Sequence, residues 1–269
     1  MKLTYTNLPR VGKSVKGISN PVHNDRRFNY MKEPHINPEM MYLNKYTSIY
    51  DSKEEGKVPF DEAELRYYKE HLQEQLQERN KKAESYGRKD RVKTMDQFRK
   101  MPLFSPEETL VQLGNRDDQP EDKEILKKLV VDMLKFIDKK VGRNAVILDM
   151  AYHADEETPH VHIRKLWVYY EEGRDGKEVM KVGQEKALEQ AGIPVYDPSR
   201  PPGKFNSRKM AFDHMVRNEL FRLCKERGLE IDTVPNKKNR KKMPIREFKE
   251  FMKRQEMERE VRRQDRATG

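Results

Sequence analysis

NAVILDMAYHADEETPHVHIRKLWVYY, residues 144–170, is the stretch on which the reading of this chain turns. Residues 144–152 form an apolar run broken only by Asp149, the pattern of a strand buried for most of its length. Residues 161–170 are rich in β-branched and aromatic side chains and read as a second strand. Between them Asp155 to Pro159 is turn chemistry, acidic residues with Thr and Pro. So short a link predicts an antiparallel hairpin. Side chains alternate along a strand, so His160 and His162 share a face, and His153 at the end of the first strand can meet them across the turn. Asp149, His153, His160, His162 and Arg164 are therefore expected on one polar face. Leu148, Met150, Tyr152, Val161 and Ile163 are expected on the core-facing side.

The turn gathers three of the seven histidines beside three carboxylates. Three imidazoles with an oxygen neighbour, most simply Glu156, suit Mn²⁺, Mg²⁺, Zn²⁺ or Ni²⁺ with positions left open for water or substrate. Closed structural zinc sites are usually sulfur-rich, and Cys224 is the only cysteine. A single cysteine also rules out a disulfide framework and fits a reducing interior.

Composition narrows the partner. Apolar residues are 35% and charged residues 38% of the 269, so the core is modest and the surface heavily charged. The formal net charge of +10 belongs to the C-terminal part: residues 1–199 balance, and 200–269 carry the excess. An arm or face that tracks a phosphate backbone has this distribution. Its densest run is Lys237, Lys238, Asn239, Arg240, Lys241 and Lys242. The amino terminus lacks the apolar segment of a signal peptide, and no stretch is long and apolar enough to cross a bilayer. A soluble, cytoplasmic protein without membrane insertion is expected.

Outward from the hairpin, residues 2–7 and 107–114 read as strands, and 177–182 as a short strand after the turn at 172–176. Residues 122–140 form the best amphipathic helix, with Ile125, Leu126, Leu129, Val130, Met133, Phe136 and Ile137 on one side. Residues 61–86 read as a charged helix with a thin stripe of Leu65, Tyr68, Leu72 and Leu76, solvated on the outside. Residues 183–191 and 206–227 are helical, the latter burying Met210, Met215, Leu220 and Leu223, and a basic helix starts at Pro244. The order predicts an α+β fold: a small, mostly antiparallel sheet with helices packed on one face, peripheral helices and a basic C-terminal helix. The expected division is a domain over 1–232, with a helical insertion at about 61–100, followed by a basic linker and helix over 233–269.

The spacing His153-x₂-Glu156-x₃-His160-x-His162, with Pro159 before the histidine pair, resembles the metal motif of the HUH endonucleases. Within them it is similar to the Mob/Pre plasmid mobilisation relaxases. His23-Asn24-Asp25-Arg26 resembles that family's N-terminal motif, and Tyr42-Leu43-Asn44 part of its second; 106–114, 182–190 and 206–210 also read like such proteins. The resemblance spans roughly residues 5–250. It implies a relaxase-like fold and a metal-dependent, strand-specific nick at a plasmid or mobile-element transfer origin. The enzyme stays joined to the 5′ phosphate and later rejoins the ends. It further implies His23 as nucleophile, Arg26 orienting phosphate, Glu156 beside the metal, and His153, His160 and His162 as ligands. Mn²⁺ is the first choice of ion, with Mg²⁺ or another divalent cation as alternative. The partner implied is single-stranded or hairpin DNA of the origin, together with other mobilisation or conjugation proteins. Asn24, Asn44, Arg164, Lys237, Lys238, Arg240, Lys241 and Lys242 are the expected DNA contacts.

The chain departs from the pattern at 39–46. Where such proteins carry Arg-Ser-His before Leu-Asn-Tyr, EMMYLNKY stands here, so Tyr42 and Tyr46 remain alternatives to His23. A rolling-circle replication initiator with the same metal motif, or a DNA-binding repressor without catalysis, would also account for the motifs.

Overall fold

Strand, one-turn helix and strand open the chain. In the computed structural model, residues 1–8, 20–30, 33, 36–115, 117–122, 124–173 and 175–232 are described. The basic run 237–242 and the helix expected from Pro244 lie outside them. The elements in order are β1 (Leu3–Leu8), α1 (Pro21–Asn24), a 3₁₀ turn Pro38–Leu43, β2 (Lys45–Ser48), α2 (Phe60–His71), α3 (Gln73–Ser85) and α4 (Met95–Arg99). There follow β3 (Glu107–Leu113), α5 (Ile125–Val141), β4 (Ala145–His153), β5 (His160–Glu172), β6 (Glu178–Val182), α6 (Gln184–Gln190) and α7 (Arg208–Glu226).

All strand pairings are antiparallel, in the order β1-β3-β5-β4-β2, with β6 on the far half of β5. The α+β class read from the sequence is the class observed. Central position explains the length of β5: its first half pairs with β3 and β4, its second with β6. No helix of the described residues is long and apolar enough to cross a membrane.

Alternation sorts β5 into two faces. Val161, Ile163 and Trp167 point under α5, α6 and α7, where Leu129, Val130, Met133, Phe212, Val216 and Leu220 close a continuous apolar layer. The stripe predicted on α5 is the one that packs, and the helix stops at Gly142 in a positive-φ conformation (+48°) that a side chain would resist. On α7 Leu220 and Leu223 are buried as expected and Met215 packs against the core, but Met210 is exposed, and Phe212, fully buried, meets Trp167 edge-on with centroids 5.0 Å apart.

The other face is divided. Leu166 and Val168 are covered by Tyr67, Tyr68, Leu72, Leu76 and Phe98 of the α2–α4 segment. The helix expected to be solvated over 61–86 is therefore two helices meeting at Leu72, and its thin stripe is core, with Tyr68 and Leu72 fully buried. At the opposite end of the same face stand His160 and His162. Leu148 joins this face as well, against expectation. A register shift between Ile147 and Asp149 inserts one extra residue, so Leu148 packs with Leu166 while Ile147 stays on the first face.

Candidate metal and nucleophile site

β4 ends and β5 begins at the site. His153 and His160 are register partners, and Ala151 lies opposite His162, so the hairpin alone puts three rings on one face. One nitrogen from each ring falls within 4.8 Å of the others. The second nitrogen of each is taken by an acceptor: His153 Nε2 by the Asn24 carbonyl at 2.7 Å, His160 Nδ1 by the Thr158 carbonyl at 3.0 Å, and His162 Nδ1 by Glu108 Oε1 at 2.6 Å. A carbonyl or carboxylate accepts, so the proton of each neutral ring sits on that nitrogen. The lone pairs of His153 Nδ1, His160 Nε2 and His162 Nε2 are left for the shared space. His153 Nδ1 and His160 Nε2 face each other at 3.3 Å, a separation that a proton or a cation must bridge.

Electrostatics disfavours the proton. Burial, then the nearby Arg26 guanidinium, pushes His153 far below the ordinary histidine value. Burial, then His162, pushes His160 down to about 4. Imidazoles with second nitrogens held by acceptors and lone pairs converging on one space are the donor set of a divalent cation of borderline hardness, and the residues fit one. Glu156 Oε1 lies 3.8 Å from His153 Nδ1 and 4.0 Å from His160 Nε2.

A second segment completes the cluster. Asn20 caps the single turn of α1 through the backbone N–H of His23. The chain then reverses at Arg26 with φ +58°, a left-handed conformation costing on the order of 1–2 kcal/mol for a side-chain-bearing residue. Its guanidinium offsets that cost by donating to Asp155 through Nε and Nη2 at 2.9 and 2.8 Å and to Glu156 at 2.6 Å. Arg26 Nη1 also faces His23 Nε2 at 3.3 Å. A guanidinium has only donors, so Nε2 is the acceptor nitrogen of that ring. Phe28 stacks on His23 at 5.0 Å. The His23 ring thereby stands 6.1 Å from His153 and 6.5 Å from His162, centroid to centroid.

The tyrosines separate. Tyr46 on β2 has its ring 6.2 Å from His153, its hydroxyl accepts from Asn44 at 2.9 Å, and burial raises its pKa. Tyr42 is 76% exposed on the 3₁₀ turn.

Three residues expected on DNA have buried side chains with partners inside the protein. Arg164 is buried between Asp149, at 2.9 Å, and Glu64 of α2, because its strand position faces the covered half of the divided face. The Asn24 side chain is turned inward, 1% exposed, and its backbone carbonyl holds His153. The Asn44 carbonyl oxygen accepts from the backbone N–H of Ala154 and Asp155 at 2.7 and 3.3 Å, strapping β2 to the turn. Lys237, Lys238, Arg240, Lys241 and Lys242 lie outside the described residues. Glu108, Asp155 and Phe28 were missed. Only the strand read at 107–114 hinted at Glu108, since its partner depends on the β3–β5 register.

Neither a protein-family pattern nor a curated protein matches the chain. Solved structures do. The MobM relaxase domain (MOBV; Mob_Pre) bound to 22-nucleotide oriT DNA of plasmid pMV158, in a Mn-bound crystal structure, superposes with a TM-score of 0.51 at 18% identity, covering 93% of this chain and 99% of that one. A second Mn-bound structure of the same domain, with 22 nucleotides and a 3′-thiophosphate, gives a TM-score of 0.51 at 16% identity over 94% and 100%. The chain shares the fold of that relaxase domain along nearly its whole length.

Proposed function

We propose that the chain nicks and rejoins one DNA strand at the transfer origin of a plasmid or mobile element. His23 is the nucleophile, and His153, His160 and His162 hold a divalent cation, Mn²⁺ first. The observation that carries this reading is the placement of the acceptor nitrogen of His23 beside Arg26, its ring 6.1 Å from the nearest triad ring. The MobM relaxase domain, with the same fold, is bound to oriT DNA and Mn.

When bound, the cation supplies a Lewis acid for a phosphoryl oxygen, keeping much of its charge because its ligands are neutral. Arg26 Nη1 faces His23 Nε2, which leaves that nitrogen as the acceptor of the ring, and Arg26 is itself held by Asp155 and Glu156. The Nε2 lone pair attacks phosphorus, and the bond to the 3′ oxygen breaks with its electron pair. Solvent protonates the departing oxygen, and the ring releases its Nδ1 proton, so charge and protons balance. The product is a phosphoramidate on the 5′ phosphate. Its high energy lets the 3′ hydroxyl reverse the step, which suits rejoining better than degradation. In this reading residues 1–232 are the catalytic domain, 61–100 its helical insertion, and 233–269 a basic arm for the phosphate backbone.

The test is an oligonucleotide spanning the transfer origin of the element that encodes the chain, incubated with Mn²⁺ and run on a denaturing gel. A covalent adduct is expected, prevented by chelator and abolished by His23→Ala. An adduct that survives His23→Ala and disappears in Tyr46→Phe moves the nucleophile to β2. Tight duplex binding without any adduct favours a repressor. Binding should weaken steeply with salt as phosphate contacts release counterions.

A further inference from the structure

Residues 79–93, RNKKAESYGRKDRVK, hold seven lysines and arginines against two carboxylates, Glu84 and Asp90, although residues 1–199 as a whole balance. We infer that this segment is a docking surface for the phosphate backbone of double-stranded DNA beside the strand being processed; the inference rests on the DNA reading.

The state of its charges is the first argument. Among the described residues, no carboxylate forms an ion pair with any of the seven cations. On α5, by contrast, Lys127, Lys128 and Lys135 pair with Glu124, Asp122 and Asp132. A cation in the last turn would answer the dipole of α3, but a cluster that runs on through the following loop exceeds that need. Its positive potential is left for an external anion.

The cluster is held in shape before any ligand arrives. Gly87, at φ +64°, closes α3: its N–H donates to the Glu84 carbonyl and that of Arg88 to the Ala83 carbonyl, both at 2.8 Å. The Asn80 side chain donates to the Lys93 carbonyl at 2.8 Å and accepts from the Lys93 N–H at 3.0 Å. Arg79 donates to the Arg91 carbonyl at 2.9 Å. The foot of α3 is fixed to β6, where Gln75 accepts from the Val182 N–H at 2.9 Å and Lys181 meets Glu78 at 2.6 Å. Beyond that foot, residues 84–91 are all exposed.

Placement and charge density select the occupant. The α2–α4 segment covers Leu166 and Val168 on the sheet face that carries the triad. Its start abuts α1, since the Phe60 N–H donates to Asp25 at 3.0 Å. A strand engaged at His23 therefore has its continuation on the side where this segment stands. A duplex carries a phosphate charge every ~1.7 Å of its axis in a fixed array, which suits cations on a fixed scaffold. Tyr86, 65% exposed with the Arg88 guanidinium 5.7 Å from its ring centre, adds a hydroxyl that can donate to phosphate.

The full chain with Mn²⁺ is titrated against a short fluorescent duplex of arbitrary sequence over a series of salt concentrations. Wild-type affinity should fall steeply with salt. Lys82→Gln, Arg88→Gln and Lys89→Gln together, all at exposed positions, should bind about tenfold or more weakly, with a log–log salt slope shallower by about 2–3. Lys139→Gln, Lys140→Gln and Lys225→Gln together remove equal charge from exposed positions of α5 and α7 and should stay near wild type. Both variants should still form the adduct on a bare single strand of the origin. Wild-type affinity and slope in the first variant, or an equal loss in the second, overturns the docking surface while the DNA reading stands. So does wild-type retention on vesicles of anionic lipid without duplex binding. Duplex binding that weakens in the first variant alone, from a wild type that forms no adduct, removes the nicking reading and keeps the surface.

Discussion

Val161, Ile163 and Trp167 on one face of β5 are sealed beneath α5, α6 and α7; His160 and His162, one residue away along the same strand, face a space bordered, among the described residues, by the His23–Arg26 turn. Each face also carries a buried ion cluster at the same level. On the sealed side Lys165 meets Glu107 of β3 at 2.7 Å, and Lys209 of α7 reaches the same Glu107 at 3.3 Å. On the divided side Arg164 joins Asp149 to Glu64 of α2. Both clusters lock a helix to the sheet. Only on the divided side does the strand continue past the lock into imidazoles that face an open space. The comparison teaches that one strand can give its odd positions wholly to the core and divide its even ones between core and chemistry.

That division can be broken by experiment. The largest effect belongs to the sealed face: Trp167→Ala should cost about 3–5 kcal/mol in denaturant unfolding, yet leave Mn²⁺ affinity per folded molecule unchanged. Weakened metal binding in the folded fraction would show the faces to be coupled. Next comes pH. His160 is near its unfolded value of about 6.5 when unfolded and at about 4 when folded, so the unfolded chain binds the proton first as pH falls. In chelator its stabilising contribution is complete above pH ~6.5 and lost on acidification toward pH ~4, on the order of 3 kcal/mol, with His153 adding in the same direction. A metal-free protein equally stable at both ends of that window would contradict the buried, neutral state of His153 and His160.

Smaller effects sharpen the boundary. Glu108→Gln keeps an acceptor for His162 and removes its charge, and should lower Mn²⁺ affinity by about 10- to 100-fold by calorimetry. Unaltered affinity would mean that Glu108 does not tune the site. The smallest effect is expected at Asn44→Ala, which strands the buried N–H of Ala154 at about 1–2 kcal/mol of stability. DNA affinity of the folded protein should stay as in wild type, and a weakened complex would return Asn44 to the DNA contacts first expected of it.

The hairpin and its three histidines were legible because turn chemistry and strand alternation are local properties of residues 144–170. The stripe of α5 was legible for the same reason. What escaped depends on partners distant in sequence. β2 is four residues of KYTS whose strand character comes from pairing with Asp149–Tyr152 of β4. Leu148 changed faces through an inserted residue that periodicity does not announce. Arg164 looked like a phosphate contact until Glu64, a hundred residues earlier, was found buried against it. The stripe of α2 and α3 was thin enough to pass for solvated, because Leu166 and Val168 supply the apolar area it covers.

The most direct measurement is mass spectrometry of the peptide that carries nucleotide after reaction with Mn²⁺. The mass increment should fall on His23 and be lost in mild acid while resisting alkali, as a phosphorus–nitrogen bond is. An acid-stable increment on Tyr46, or none on any residue while the strand is cut, would contradict the claim that this imidazole is the group that attacks.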